Sequence, residues 1–256
     1  MCGWDTDCNA GNIGSILGVL VGIEGIEDKW ITPINDLLLS SSVIGGLNIS
    51  TVSGTAGIFC AIALNIAGEE APPPWKEALT SKDSRFHFNF NKSTQAMRLK
   101  TDDPGIEASL KNAENGRTGS RSLKITANRM MTASELRVFN KTYYRPADLH
   151  DSRYDPGFTP TVFPGQTVST ALRNGSGYDV RVSLFAKDLN NNVDYVSEPV
   201  VLNHEWLDFS YTIPSTQNAL IGEVGITISK HQPENNKKDI LLVFMDHLSI
   251  SGEPEY

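Results

Sequence analysis

The spacing of apolar positions changes character once along this chain, near residue 68. From Asn9 to about Ala67, apolar residues recur every three or four positions, and Ile13, Ile16, Leu17, Leu20 and Ile23 form one helical stripe. Gly11, Gly14, Gly18 and Gly22 fall along another face of the same helix. Mid-helix glycine costs about 1 kcal/mol relative to alanine, so this face predicts close approach of a second backbone. A second helix is expected from Trp30 to about Leu39, with Pro33 in its first turn, and a third from about Ser50 to Ala67. Helices that are apolar on several faces need neighbours on those faces, and three cannot supply them all. The segment is therefore expected to pack loosely or to expose apolar surface.

Gly68-Glu-Glu-Ala-Pro-Pro-Pro-Trp75 interrupts that pattern, because consecutive prolines favour extended chain over helix. Past about Thr80 the period is two: Phe86, Phe88 and Phe90, then Ser122–Ile125, then Val180, Val182 and Leu184, then Leu207, Phe209 and Tyr211, then Val224, Ile226 and Ile228, then Ile240–Leu248. Turn signals such as Asn115-Gly116, Asn174-Gly175 and Asn190-Asn191-Asn192 separate these runs. The expected fold is multidomain: a partial all-α segment over residues 1–68, a Pro-rich linker over 69–80 and an all-β jelly-roll sandwich over 81–256.

Composition narrows the range of partners. With 256 residues, 39% of them hydrophobic, the chain can bury a sizeable core. Its formal charge of −8, with no Lys/Arg cluster along any expected helix, excludes nucleic acid as the expected partner. Cys2, Cys8 and Cys60 are odd in number and lack paired zinc-ligand spacing, so neither a disulfide framework nor a zinc finger is indicated. The apolar run Ile13–Ile23 is too short to span a bilayer and ends at Glu24; no basic leader precedes it. A membrane is not an expected partner, and the sequence names no compartment.

The opening Gly3-Trp4-Asp5-Thr6-Asp7-Cys8-Asn9 carries the most chemistry. Carboxylates at i and i+2, at the entrance to a glycine-rich helix, can both point at one hard cation, and oxygen ligands suit Mg²⁺, Mn²⁺ or Ca²⁺. Either carboxylate could instead serve as a helix N-cap. This motif, the glycines at 11, 14, 18 and 22 with Ser15, and Lys29-Trp30-Ile31-Thr32-Pro33-Ile34-Asn35-Asp36 together resemble the C-terminal part of the ADP-ribosylglycohydrolase family, over residues 1 to about 68. That resemblance implies an all-helical hydrolase with two metal ions, usually Mg²⁺ or alternatively Mn²⁺, acting on ADP-ribosylated substrates or related glycosides. It places Asp5 and Asp7 as metal ligands. The next position is commonly Thr or Ser in the family and is Cys8 here, whose neutral thiol is a poor ligand for Mg²⁺. The family's other metal ligands and its acidic catalytic residue have no counterpart in this sequence, so the chain alone is expected not to hydrolyse such substrates. Thr101-Asp102-Asp103 is read as a surface turn because Pro104-Gly105 follows it directly.

Residues 84 to 252 resemble galactose-binding-like jelly rolls that serve as carbohydrate-binding modules. The likeness rests on Gly119–Ile125, Val180–Ala186 and Leu242–Gly252. Tyr143, Tyr144, Tyr178, Tyr195, Trp206 and Tyr211 could supply a sugar-stacking platform, with Tyr143, Tyr144 and Trp206 as the ligand-binding candidates; core and cross-strand packing is the alternative. Asp246 could hold a structural Ca²⁺ or simply be solvated, and none of the five histidines has paired spacing with a nucleophile. Two functions follow: a fragment of a metal-dependent glycohydrolase with an appended carbohydrate-binding module, or a non-catalytic glycan- or protein-binding sandwich.

Overall fold

The computed structural model describes residues 6–73, 75–80, 86–131, 133–149, 157–231 and 240–255. Helix α1 spans Thr6–Gly25, with non-helical backbone at Gly22, and α2 is the single turn Asp28–Ile31. Strand β1, Leu37–Leu39, then pairs antiparallel with β2, Ile49–Thr51. The Thr51 hydroxyl caps α3, Val52–Ala67, by accepting the Gly54 N–H at 2.9 Å, and α4, Trp75–Thr80, follows the prolines. No helix among the described residues is long and apolar enough to cross a membrane.

Two expectations are corrected here. The helix expected from Trp30 to Leu39 stops at Ile31, and the three leucines at 37–39 form a strand. Thr32 still has helical backbone (φ −58°, ψ −44°), but Pro33 brings no N–H to continue the ladder, and Asn35 and Asp36 take the left-handed conformation (φ 51° and 57°), which these two residue types tolerate. The glycine face of α1 also lacks the close neighbour expected of it: no atom outside the helix lies within 4 Å of where a Cβ would stand at Gly11, Gly14, Gly18 or Gly22. Helix α1 buries no residue, and Val19 is 89% exposed. Helix α3 buries only Gly57. The exposed apolar surface inferred from the sequence is therefore present.

The rest of the chain forms an antiparallel β-sandwich. Its strands are β3 (Arg98–Thr101), β4 (Glu107–Ala113), β5 (Ser122–Asn128), β6 (Glu135–Lys141), β7 (Thr167–Asn174), β8 (Val180–Asp188), β9 (Val193–Val196), β10 (Val200–Leu202), β11 (Leu207–Thr212), β12 (Ile221–Lys230) and β13 (Leu241–Ser251). One sheet has the order β11-β7-β13-β5-β4. The other runs β10-β8-β12-β6-β3, with β9 also on the edge of β8. The chain crosses repeatedly between the sheets, in the manner of a jelly roll. Alternate residues fill the space between them, among them Leu123 and Ile125, Leu136 and Val138, Val182 and Leu184, Ile226 and Ile228, and Val243 and Met245. In β13 the register slips between Asp246 and Leu248, where His247 has φ 46° and forms a bulge.

A compact polar contact ties the helical segment to the sandwich. Asn35 donates from Nδ2 to the Met97 carbonyl at 2.9 Å, and its own carbonyl accepts the Ala96 N–H at 3.1 Å. The Asp36 carboxylate accepts the Ser53 N–H at 2.8 Å and the hydroxyls of Ser53 and Ser93. Trp75 of α4 stacks on Phe90 at 5.6 Å. Limited proteolysis should cut first between Ala67 and Ser81, and Asp36→Ala should make that cut several-fold faster by loosening α3 from the loop before β3. Gel-resolved digestion time courses would check this; equal rates for the two proteins would mean that Asp36 does not hold the two parts together.

Candidate functional site

Of the expected metal ligands, Asp5 lies outside the described residues. Asp7 is exposed in the first turn of α1, and one of its carboxylate oxygens accepts the Cys8 N–H at 3.0 Å. Cys8 is an exposed free thiol. The described part of the motif thus offers one carboxylate and one soft sulfur, whereas a hard divalent cation needs about six oxygens. Among the described residues no three His, Cys, Asp or Glu side chains converge as such a site. Thr101 ends β3, and Asp102-Asp103 lead into the turn at Pro104-Gly105: Asp103 accepts the Gly105 N–H at 2.9 Å and the Ser134 hydroxyl at 2.7 Å.

The aromatic candidates do not form one platform. Tyr144 is buried beside the six-stranded sheet, under Arg98, whose guanidinium donates to its hydroxyl at 3.0 Å, and Lys141, 4.7 Å from its ring. Burial pushes the Tyr144 phenol above its ordinary pKa, against the pull of Arg98. Tyr143 is half-buried. Tyr195 and Tyr211 pack against the core, and Tyr178 lies under Lys230. Trp206 belongs to the other sheet. It immediately precedes β11 and is only partly covered.

The outer face of the five-stranded sheet brings Trp206 to residues the sequence analysis did not single out. Alternation turns Arg173 of β7, Phe244 of β13 and Lys124 of β5 away from the core, because Leu172, Val243 and Ile125 point into it. Register places Arg173 opposite Phe244, Phe244 opposite Lys124, and Lys124 opposite Lys111 of β4. The Arg173 guanidinium lies 5.2 Å from the Trp206 ring and 4.8 Å from the Phe244 ring, so a cation is held between two aromatic groups. Its Nε is buried and makes no hydrogen bond.

The neighbouring row holds a polar cluster. Asp208 and Asp246 both lie opposite Ala171. Arg117 pairs with the Asp208 carboxylate through both terminal nitrogens, and this holds the carboxyl below its ordinary pKa. Asp246 is 1% exposed and accepts the backbone N–H groups of Arg117 at 2.6 Å and Thr118 at 2.8 Å. Burial nevertheless pushes its carboxyl above the usual range. His247, turned out by the bulge, is held below its ordinary pKa by burial, against the opposing pull of Asp246 and Asp208. No activated nucleophile accompanies these groups among the described residues. Their arrangement can stack, donate and accept.

No family model matches the sequence, and no curated protein matches it, so the resemblance of residues 1–68 to glycohydrolases gains no support there. Among solved structures, a chain from a study of promiscuous specificity in carbohydrate-binding modules of the β-sandwich superfamily is similar at 12% identity and a TM-score of 0.48, over 68% of this chain and 63% of that one. The match therefore spans less than two thirds of that chain. The CBM22-1 xylan-binding domain of Paenibacillus barcinonensis Xyn10C is similar at 11% identity and a TM-score of 0.40, over 68% and 94%. TmCBM61, in complex with β-1,4-galactotriose, is similar at 14% and 0.38, over 68% and 100%. Similarity at this level leaves the binding assignment to the residues themselves.

Proposed function

We propose that this chain is a non-catalytic glycan-binding protein whose site is the outer face of the five-stranded sheet. The carrying observation is Trp206 stacked on Arg173, itself seated on Phe244. Packed against the guanidinium, the indole loses rotational freedom before any ligand arrives, which lowers the cost of binding. A partly open indole covers the apolar C–H face of a pyranose, and Asp208, Arg117 and His247 nearby offer acceptors and donors for hydroxyl groups.

Trp206→Ala should weaken binding to a retained polysaccharide about 10- to 30-fold with unchanged thermal stability, measured by isothermal titration after a screen by affinity electrophoresis. Unaltered affinity in the variant would remove the indole from the site. The glycohydrolase reading, with Asp5 and Asp7 holding Mg²⁺ or Mn²⁺ and an ADP-ribosylated substrate, forecasts otherwise: binding or turnover should need the metal. On our reading glycan affinity is the same in EDTA, in Mg²⁺ and in Asp7→Ala, and the chain alone releases no ADP-ribose. Metal-dependent release abolished in Asp7→Ala would reverse the assignment.

A further inference from the structure

Building on the glycan-binding reading, we infer that the ligand of this face is an anionic glycan, bearing carboxylate or sulfate groups, held along the row Arg173, Lys124 and Lys111. The three cations lie on β7, β5 and β4 of one sheet, with Phe244 of β13 between the first two. Strands spaced by about 4.8 Å put the ends of this row roughly 14 Å apart, long enough to follow several sugar units.

The balance of charge on the face singles out these three. Asp208 is paired with Arg117, Glu114 with Arg121 at 3.0 Å and Glu107 with Arg129 at 3.6 Å. The Asp246 carboxylate is buried against backbone N–H groups. Glu205, next to Trp206, is exposed. Arg173, Lys124 and Lys111 belong to none of these ion pairs. The chain as a whole carries a charge of −8, so a positive row is a local departure that would have to overcome general repulsion of a polyanion.

Lys124 and Lys111 are also directly opposed across adjacent strands, an arrangement of like charges that destabilises a sheet. An anionic group lying between them removes that repulsion on binding, so the ligand gains affinity from strain already present in the unbound face. Arg173 supplies a planar fork that can engage two oxygens of a carboxylate or sulfate. Its position between two rings keeps that fork in one orientation.

The test compares polygalacturonate and a sulfated galactan with neutral galactan and xylan, across a salt series, using wild type, Lys111→Gln/Lys124→Gln, Arg173→Gln and Trp206→Ala. The lysine pair is partly or fully exposed, so its double variant should fold normally. The expected result is preference for a polyanion, affinity that falls as salt rises, and a loss of about tenfold in the lysine double variant with a shallower salt dependence. The carboxylated and sulfated probes identify which anion is preferred. Neutral glycans bound best, with Trp206→Ala weakened and the lysine variant unchanged, would overturn the inference while leaving the glycan reading intact. Binding to no glycan would overturn both. Equal affinity for single-stranded DNA would show undirected charge attraction and also overturn it.

Discussion

Gly225→Ala should destabilise the sandwich by about 3 kcal/mol, enough to leave a marginal domain largely unfolded. Gly225 sits in mid-β12, directly opposite Phe139 on one side and Phe185 on the other. A Cβ there would collide with the Val138 carbonyl oxygen and lie 2.7 Å from the Phe139 Cα. Both are backbone atoms of a neighbouring strand inside the ladder, so relief requires the strands to part. Gly222→Ala provides the contrast. The group in its way is the Leu189 side chain, which can rotate aside, and the cost should stay below about 1 kcal/mol. Urea midpoints of the two variants would decide the matter, and similar losses would mean that β12 yields more readily than its register implies.

Asp188→Ala should cost about 3 kcal/mol or more, through unsatisfied donors rather than a cavity. Asp188 is fully buried at the end of β8 and accepts the N–H groups of Leu220 at 3.1 Å, Asn190 at 2.9 Å and Asn191 at 3.2 Å, the Asn191 amide at 2.7 Å and the Tyr195 hydroxyl at 3.3 Å. Burial alone would raise its pKa, but these donors outweigh burial and hold the carboxyl below its ordinary value. With the folded value depressed, the stabilisation is present above the unfolded pKa and is lost as pH falls through the folded one. Asp246 has the opposite sign. Its raised carboxyl gives a contribution that is fully present below the unfolded pKa and is lost as pH rises through the folded value. Stability measured against pH should therefore lose part of its acid limb in Asp188→Asn and not in Asp246→Asn. The same acid limb in both variants would refute the sign assigned to Asp188.

Much of the sandwich was legible in the sequence because period-two alternation fixes which residues point inward, whatever strand lies alongside. Pairing is not legible in that way. Trp206 stood out by residue type, whereas Arg173 and Phe244 become its companions only when β11, β7 and β13 are neighbours, and these strands are distant in the chain. Tyr144 shows the reverse: an aromatic that suggests a ligand platform is covered by Arg98 and Lys141. In the helical segment the leucines at 37–39 fit helix and strand equally well, and only the left-handed turn at Asn35 and Asp36, held by partners far along the chain, decides between them. The metal motif stays as an expectation carried by Asp5, Asp7 and Cys8.

The bulge at His247 also bears on how this face could diversify. Because β13 takes one extra residue there, Met245 and Leu248, three apart, both keep their places in the core, while Asp246 lies buried under the Arg117 and Thr118 backbone and His247 is left half-buried on the outer side. Substitutions at position 247 can therefore sample new chemistry beside Asp208 without repacking the interior. Loss of a single codon at 247 would have a different effect. It would remove the bulge, leaving Met245 opposite Leu172 and Leu248 opposite Thr170 in unbroken alternation, and take one side chain off the outer face. Among descendants of this chain, that position should favour Gly, Asn, Asp or His over β-branched residues, because its backbone is left-handed, and its loss should leave the core in phase.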